Sequence, residues 1–204
     1  MTEFTEILAR RRMTRSYSPE PVEHETIERI VGSIQRAPTA GYSQGQRLLV
    51  VTDADTRRRI AEIAAEADWT ARGNEPWLSV APVHVLLLTS EADYHERYRR
   101  QDKLDVTGGV EVEWPVPYWF VDAGAVMMLV MLAAIDEGLA SGFAGFVPPQ
   151  DDRVKELLGI PPELALDGVI TLGRPAGDAA ASARASRRTQ QRKPLDELVK
   201  WERW

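Results

Sequence analysis

A chain of 204 residues with 44% hydrophobic content is long enough for one domain with a substantial core. Lys and Arg number 25 against 31 Asp and Glu, a formal net charge of −6, which argues against nucleic acid as the main partner, since counterion-release binding needs a basic face. No cysteine is present, so disulfides, thiolate metal sites and a cysteine nucleophile are excluded and a reducing compartment fits.

The N-terminus carries Glu3 and Glu6 and then arginines, without the apolar core of a signal peptide, so a cytoplasmic location is expected. Phe4, Ile7 and Leu8 share one face of a short helix over residues 2–9. It delivers the chain to Arg10, Arg11, Arg12, Met13, Thr14 and Arg15, where positive charge is concentrated against the overall balance. Guanidinium forks match phosphate oxygens at any physiological pH. The plain alternative is a solvated basic turn that complements a helix C-terminus.

Over residues 23–36, Ile27, Ile30, Val31 and Ile34 recur at helical spacing with acids in the first turn, which predicts an amphipathic helix. It ends at Pro38 in a small-residue loop, Ala37 to Gln44. Residues 47–51 read as a strand, and Asp53 caps a helix running through Ile60, Ile63, Ala64 and Ala67. The unbroken apolar run 85–88 suits a strand buried on both faces.

Residues 91–100 are polar and helix-compatible, and 103–117, with Gly108, Gly109, Trp114, Pro115 and Pro117, read as a long structured excursion. The aromatics Trp114, Tyr118, Trp119 and Phe120 either line a substrate entrance or pack this excursion onto the core. Residues 118–135 are the most apolar stretch, but Asp122 interrupts it and Asp136 and Glu137 close it, too short and broken for a bilayer span. A buried helix is expected, apolar nearly all round and needing cover on every side.

A turn at Gly138–Leu139 leads into a short strand, where Gly145 either permits close approach of the backbone to a flat ring or serves a tight turn. Residues 151–158 form a helix stopped by Gly159 and Pro161, and 168–173 form the last strand. Composition then shifts to Ala, Ser, Gly and Arg, so 176–191 reads as a mobile linker with Arg187 and Arg188 solvated. The tail 192–204 regains apolar and aromatic residues and is expected to dock. No repeat or second domain is visible in residues 1–204, and His24, His84 and His95 are too scattered to suggest a metal site.

Arg11 to Tyr17, the Pro21–Val22 helix entry, the Pro38–Gly41 loop, Ala81–Pro82–Val83, the Gly138–Leu139 turn and its glycine-bearing strand resemble, in order and spacing, the nitroreductase family of FMN flavoproteins. The resemblance spans nearly the whole chain. It implies an α+β fold, a central mixed but mostly antiparallel sheet flanked by helices, and an intertwined homodimer with a swapped tail, residues 192–204 docking on the partner subunit.

It further implies that Arg11 and Arg12 bind the FMN phosphate, with Met13 and Arg15 in the same cofactor set, and that Arg192 returns from the tail to that phosphate. Pro38, Thr39, Ala40 and Gly41 would lie along the ribityl chain and flavin edge, reaching in from the partner. Ala144 and Gly145 would meet the ring, the Gly145 N–H donating to flavin N5. Gln44, Asn74 and Arg47 are candidate donors near the N1–C2 carbonyl. Tyr42, Trp114, Tyr118 and Trp119 would line a substrate pocket.

The implied chemistry belongs to the flavin: hydride from NAD(P)H through N5 to a quinone, nitroaromatic or similar acceptor in a ping-pong cycle, with no protein nucleophile or base. Met13 departs from the family's usual small polar residue, and Tyr42, Gly45 and Gln46 replace its usual Asn, Pro and Trp. The flavin-destroying branch has an acid near Met13 and a serine near Gly145, both absent here, and Glu91, Tyr94 and Lys103 do not reproduce the spacing of the dehalogenating branch's lid. The alternatives are a non-catalytic flavin-binding or storage protein, its nicotinamide site blocked by 103–117, and a deazaflavin-using or flavin-modifying member of the superfamily.

Overall fold

Aliphatic and β-branched runs pair into one sheet: β1 (Gln46–Val51), β2 (Val83–Thr89), β3 (Ala140–Ala144) and β4 (Ala165–Gly173), in the order β1-β2-β4-β3. Each pairing is antiparallel, simpler than the mixed sheet that the resemblance implies. The computed structural model describes residues 2–177 and 192–204, so the expected linker lies, beyond Gly177, outside the described residues.

β2 is buried at every position because both faces of the sheet are covered. On one face lie α2 (His24–Val31) and α7 (Tyr118–Asp136), packing Ile27, Ile30, Val126, Val130 and Met131 against Val85, Leu87, Ile170 and Leu172. On the other, α3 (Ala54–Ile63) and α8 (Gln150–Leu158) bring Ile60 and Val154 against Leu86 and Val169, with Tyr17 and Trp77 in the same cluster. Each such aliphatic side chain contributes roughly 1.5–3 kcal/mol when fully buried.

The predicted helix over 23–36 is α2 followed by a 3-10 turn, Gly32–Arg36, that tightens toward Pro38. The helix expected from Asp53 to Ala67 breaks at Ala65, which takes a left-handed φ of 56° before α4 (Glu66–Thr70). The break turns the Glu66 carboxylate inward, where Trp77 N–H (2.7 Å) and Leu78 N–H (2.6 Å) donate to it.

After α5 (Glu91–Tyr98), the excursion begins as a helix, α6 (Gln101–Thr107), ended by Gly108 at φ 75°. The remainder is a strap stapled by Glu111. That carboxylate pairs with His95 and accepts from Arg99 Nε at 2.7 Å and Trp114 Nε1 at 3.1 Å.

By length and composition α7 could cross a membrane, but Val126, Val130, Met131 and Ala134 are sealed against the sheet. Its outer side exposes Phe120, Val121 and Met128. α1 (Glu3–Arg10), capped by the Thr2 hydroxyl, buries none of its residues and leaves Phe4 and Leu8 exposed. In the tail, α9 (Leu195–Leu198) is followed by Trp201 and Trp204, 82% and 95% exposed.

Candidate active site

α1 stops at Arg11, whose N–H donates to the Ile7 and Leu8 carbonyls, and the chain then runs extended across β3. Thr14 N–H donates to the Ser141 carbonyl at 2.9 Å, and Phe143 N–H donates to the Met13 sulfur at 3.1 Å. Met13, the residue that breaks the family pattern, thus anchors the turn by its side chain. Gly142 is required beneath it, because a Cβ there would collide with the Thr14 carbonyl. The Tyr17 hydroxyl donates to Thr14 O at 2.9 Å and lies 2.8 Å from Thr171 Oγ1. Burial raises its pKa, so it remains a neutral donor.

Within this frame the arginines differ. Arg10 donates to the Ile135 carbonyl, and Arg12 turns back to the carbonyls of Ala9 (2.6 Å) and Arg11 (2.9 Å). Arg12 is therefore engaged with its own backbone. The guanidiniums of Arg11 and Arg15 form no ion pair or hydrogen bond among the described residues. Arg15 instead lies over Trp69 at 5.7 Å and Trp77 at 5.5 Å from the ring centroids.

Asn74 donates to the Trp69 carbonyl at 3.0 Å, so it buttresses the same corner. Ala144 and Phe146, the neighbours of Gly145, pack on the core cluster that contains Trp77, as does Trp69. Gly145 follows β3 directly. Its φ is ordinary, and a Cβ built there meets nothing within 4 Å. Nothing in this chain's own packing demands a glycine at that position, whereas a flat ring laid against the backbone would.

The small-residue loop is built separately. Asp122 on α7 accepts from Ala40 N–H at 2.8 Å and from the Tyr94 hydroxyl at 2.7 Å, while Gln46 Nε2 donates to Tyr94 Oη at 2.8 Å and to the Trp119 carbonyl at 3.0 Å. Burial, reinforced by Asp122, raises the Tyr94 pKa and keeps it a donor. Tyr42 and Gln44 hold left-handed φ values of 60° and 55°, with Gln44 N–H donating to Thr39 Oγ1 at 3.0 Å. Arg47 pairs with Asp93 at 2.7 Å and donates to the Gln44 carbonyl at 2.7 Å, so this candidate flavin donor is already engaged.

The two constellations sit at opposite ends of α7. Asp122 holds the loop and Ile135 receives Arg10, a separation of about 20 Å along the helix at 1.5 Å per residue. Near the Ile135 end one chain gathers Arg11, Met13 and Arg15, with Asn74 on the Trp69 that Arg15 covers, while β3 runs back along α7 and carries Phe143 beside Phe120 and Ala123, with Ala144 and Gly145 following it. At the other end are Pro38, Thr39, Ala40, Gly41, Tyr42 and Gln44, near the exposed Tyr118. Trp119 is buried, and Trp114 packs edge-on against Tyr94, Tyr98, Tyr118 and Trp119. Arg192 is exposed in the tail.

Sequence reading missed Trp69, Trp77, Tyr94 and the role of Asp122. The one available signal was a lone carboxylate inside an apolar helix, which needs partners wherever it is buried.

The profile of the nitroreductase family matches residues 8–174. FMN reductase (NAD(P)H) of Bacillus subtilis (strain 168) is 29% identical over 189 residues, covering 90% of this chain and 70% of its own length. Iodotyrosine deiodinase of Nematostella vectensis is 25% identical over 207 residues, covering 97% and 74% respectively. Among solved structures, the hypothetical oxidoreductase YcnD from Bacillus subtilis aligns with a TM-score of 0.75 at 25% identity, over 100% of this chain and 75% of that one. With its profile matched over most of its length and its antiparallel α+β architecture shared with that solved relative, the chain belongs to the nitroreductase family.

Proposed function

We propose that this protein is a cytoplasmic, homodimeric oxidoreductase that takes reducing equivalents from NAD(P)H and passes them, by way of bound FMN, to a small acceptor such as a quinone or nitroaromatic in a ping-pong cycle. The observation that carries the reading is the division of the site. The guanidiniums of Arg11 and Arg15, without ion pair or hydrogen bond among the described residues, lie toward the Ile135 end of α7, and the strained small-residue loop lies at the other. Two antiparallel copies would bring the loop of one against the arginines of the other. The exposed apolar side chains of α1, α7 and the tail are surface that such a partner would cover.

The residues present fit FMN. Arg11, unpaired among the described residues, would supply a fork for the phosphate, and Arg192 from the tail would join it in the dimer. Gly145 presents its N–H to N5 without a Cβ to hold the ring away. Arg15 would supply positive charge toward the N1–C2 edge, whereas Arg47 is occupied by Asp93. Thr39, Ala40 and Gly41 of the partner, braced by Asp122, line the ribityl chain. When bound, FMN supplies the acceptance and donation of hydride. The protein's own work is binding, orientation and charge.

The test is the absorbance of purified protein between 300 and 550 nm after incubation with FMN and desalting, followed by NAD(P)H oxidation with menadione. Retained flavin bands and turnover with either nucleotide are expected. Retained flavin without turnover would remove the enzymatic part of the reading, and a folded dimer that retains no FMN would remove the cofactor.

A further inference from the structure

We propose that Trp69 and Trp77 are positioning residues: their indole faces hold the Arg15 guanidinium as an un-neutralised cation against the N1–C2 edge of the flavin. The inference rests on the FMN reading above. It starts from a contrast within this molecule. Arg29, Arg47 and Arg97 are fixed by carboxylates, Glu137, Asp93 and Asp102, each at 2.7 Å. Such pairing fixes an arginine but neutralises its charge and occupies its N–H groups.

Arg15 is fixed differently, with its guanidinium carbon 5.7 Å and 5.5 Å from the two ring centroids. A ring face attracts the cation through its quadrupole and leaves the N–H groups in the guanidinium plane available to an acceptor.

The rings themselves are anchored. Trp77 is 5% exposed, and its backbone N–H, not its indole, donates to Glu66 Oε1 at 2.7 Å, alongside the Leu78 backbone N–H at 2.6 Å. Trp69 donates from Nε1 to the Glu75 carbonyl at 2.9 Å and accepts from Asn74 at its own carbonyl. Glu66, brought inward by the break at Ala65, therefore sets the turn that carries Trp77. Trp77 and Trp69 set Arg15. Ala144 and Phe146, on either side of Gly145, pack against the same hydrophobic cluster that contains Trp77.

A cation held this way favours a flavin that gains negative charge on reduction. Removing the clamp is expected to act on the reduced form more than on the oxidised one. The experiment measures, on the full-length protein, FMN affinity by fluorescence quenching and the midpoint potential of bound flavin for wild type, Trp69→Leu, Trp77→Phe, Arg15→Gln and Arg15→Gln/Trp69→Leu. Trp69→Leu should weaken FMN binding about fivefold, the worth of one cation–π contact, and move the potential negative in the direction of Arg15→Gln. Trp77→Phe keeps a ring and should move neither quantity by more than about twofold.

The double variant should match Arg15→Gln alone, because a clamp has nothing to act on once the arginine is gone. A Trp69→Leu effect of equal size with and without Arg15 would overturn the proposal, as would an unchanged potential in Trp69→Leu. A wild type that takes up no FMN overturns the cofactor reading and the clamp together. A wild type whose binding depends on Arg11 but is indifferent to Arg15 and Trp69 overturns the clamp alone.

Discussion

His84 shows how a single side chain becomes a pH liability. It is fully buried on β2, its Nε2–H donates to the Leu78 carbonyl at 2.8 Å, and its Nδ1 has no partner among the described residues. Desolvation, with the nearby Arg57 charge adding to it, outweighs the Leu78 bond and Glu66 and lowers its pKa to about 4. In the unfolded chain an imidazole titrates near 6.5. Between those values the unfolded state binds the extra proton, so stability must fall as pH drops from about 6.5 to about 4, by about 3 kcal/mol in total. Thermal melts across that range should show the loss, and His84→Gln, which keeps a donor for Leu78, should flatten it. Gly145 makes the opposite case, a residue whose identity its own fold does not require. Gly145→Ala should leave the unfolding free energy within about 0.5 kcal/mol of wild type, yet weaken FMN binding about tenfold by pushing the ring off the backbone. A titration with FMN beside a melt separates the two effects.

Among the elements, the strap over residues 108–117 is the one whose docking depends on charge. Burial works against an ionised Glu111, but donation from His95, Trp114 and Arg99 outweighs it and lowers the pKa to about 2. The Glu111 bond raises that of His95 in turn. For the carboxylate, the gain is present above its unfolded value and lost as pH falls toward about 2. For the imidazole, it is complete below about 6.5 and lost as pH rises through the raised value. Limited proteolysis of the strap should therefore be slowest near pH 5 to 6, by about these limits, and accelerate toward alkaline pH. Glu111→Gln should cleave faster and lose most of that dependence. This strap also marks the limit of what was legible. The spacing of Ile27, Ile30, Val31 and Ile34 announces α2, and an unbroken apolar run announces β2, because periodicity is local. Glu111 with His95, Tyr94 with Asp122 and Arg15 with Trp77 meet only through tertiary packing, and no local pattern encodes them.

For the whole molecule, the arrangement about α7 makes a prediction that no single-chain site shares. In the proposed dimer, Arg11→Ala would impair one half-site, by about 2 kcal/mol for a lost charge-assisted bond, and Thr39→Glu would impair the other by setting a carboxylate beside the ribityl chain. Each homodimer should bind FMN poorly. Co-expressed at equal levels, the two variants should recover about one quarter of wild-type sites, since half of the dimers are mixed and each mixed dimer has one intact site of two. Were both half-sites to serve a flavin within one chain, mixing would recover nothing. The order in which the chain is made adds a final consequence. Thr14 is secured by Ser141, Ser18 by Arg174 and Ser16 by Ala176, contacts that span most of the sequence. The arginines leave the ribosome first, yet their frame is completed only when β4 has been synthesised, and closing such long loops is the slow part of folding. On the proposed role of these arginines, cofactor capture would wait for the synthesis of β4. A nascent or prematurely ended polypeptide lacking β4 would carry the arginines proposed to bind the phosphate without the means to hold them, and so would not sequester FMN from functional enzyme.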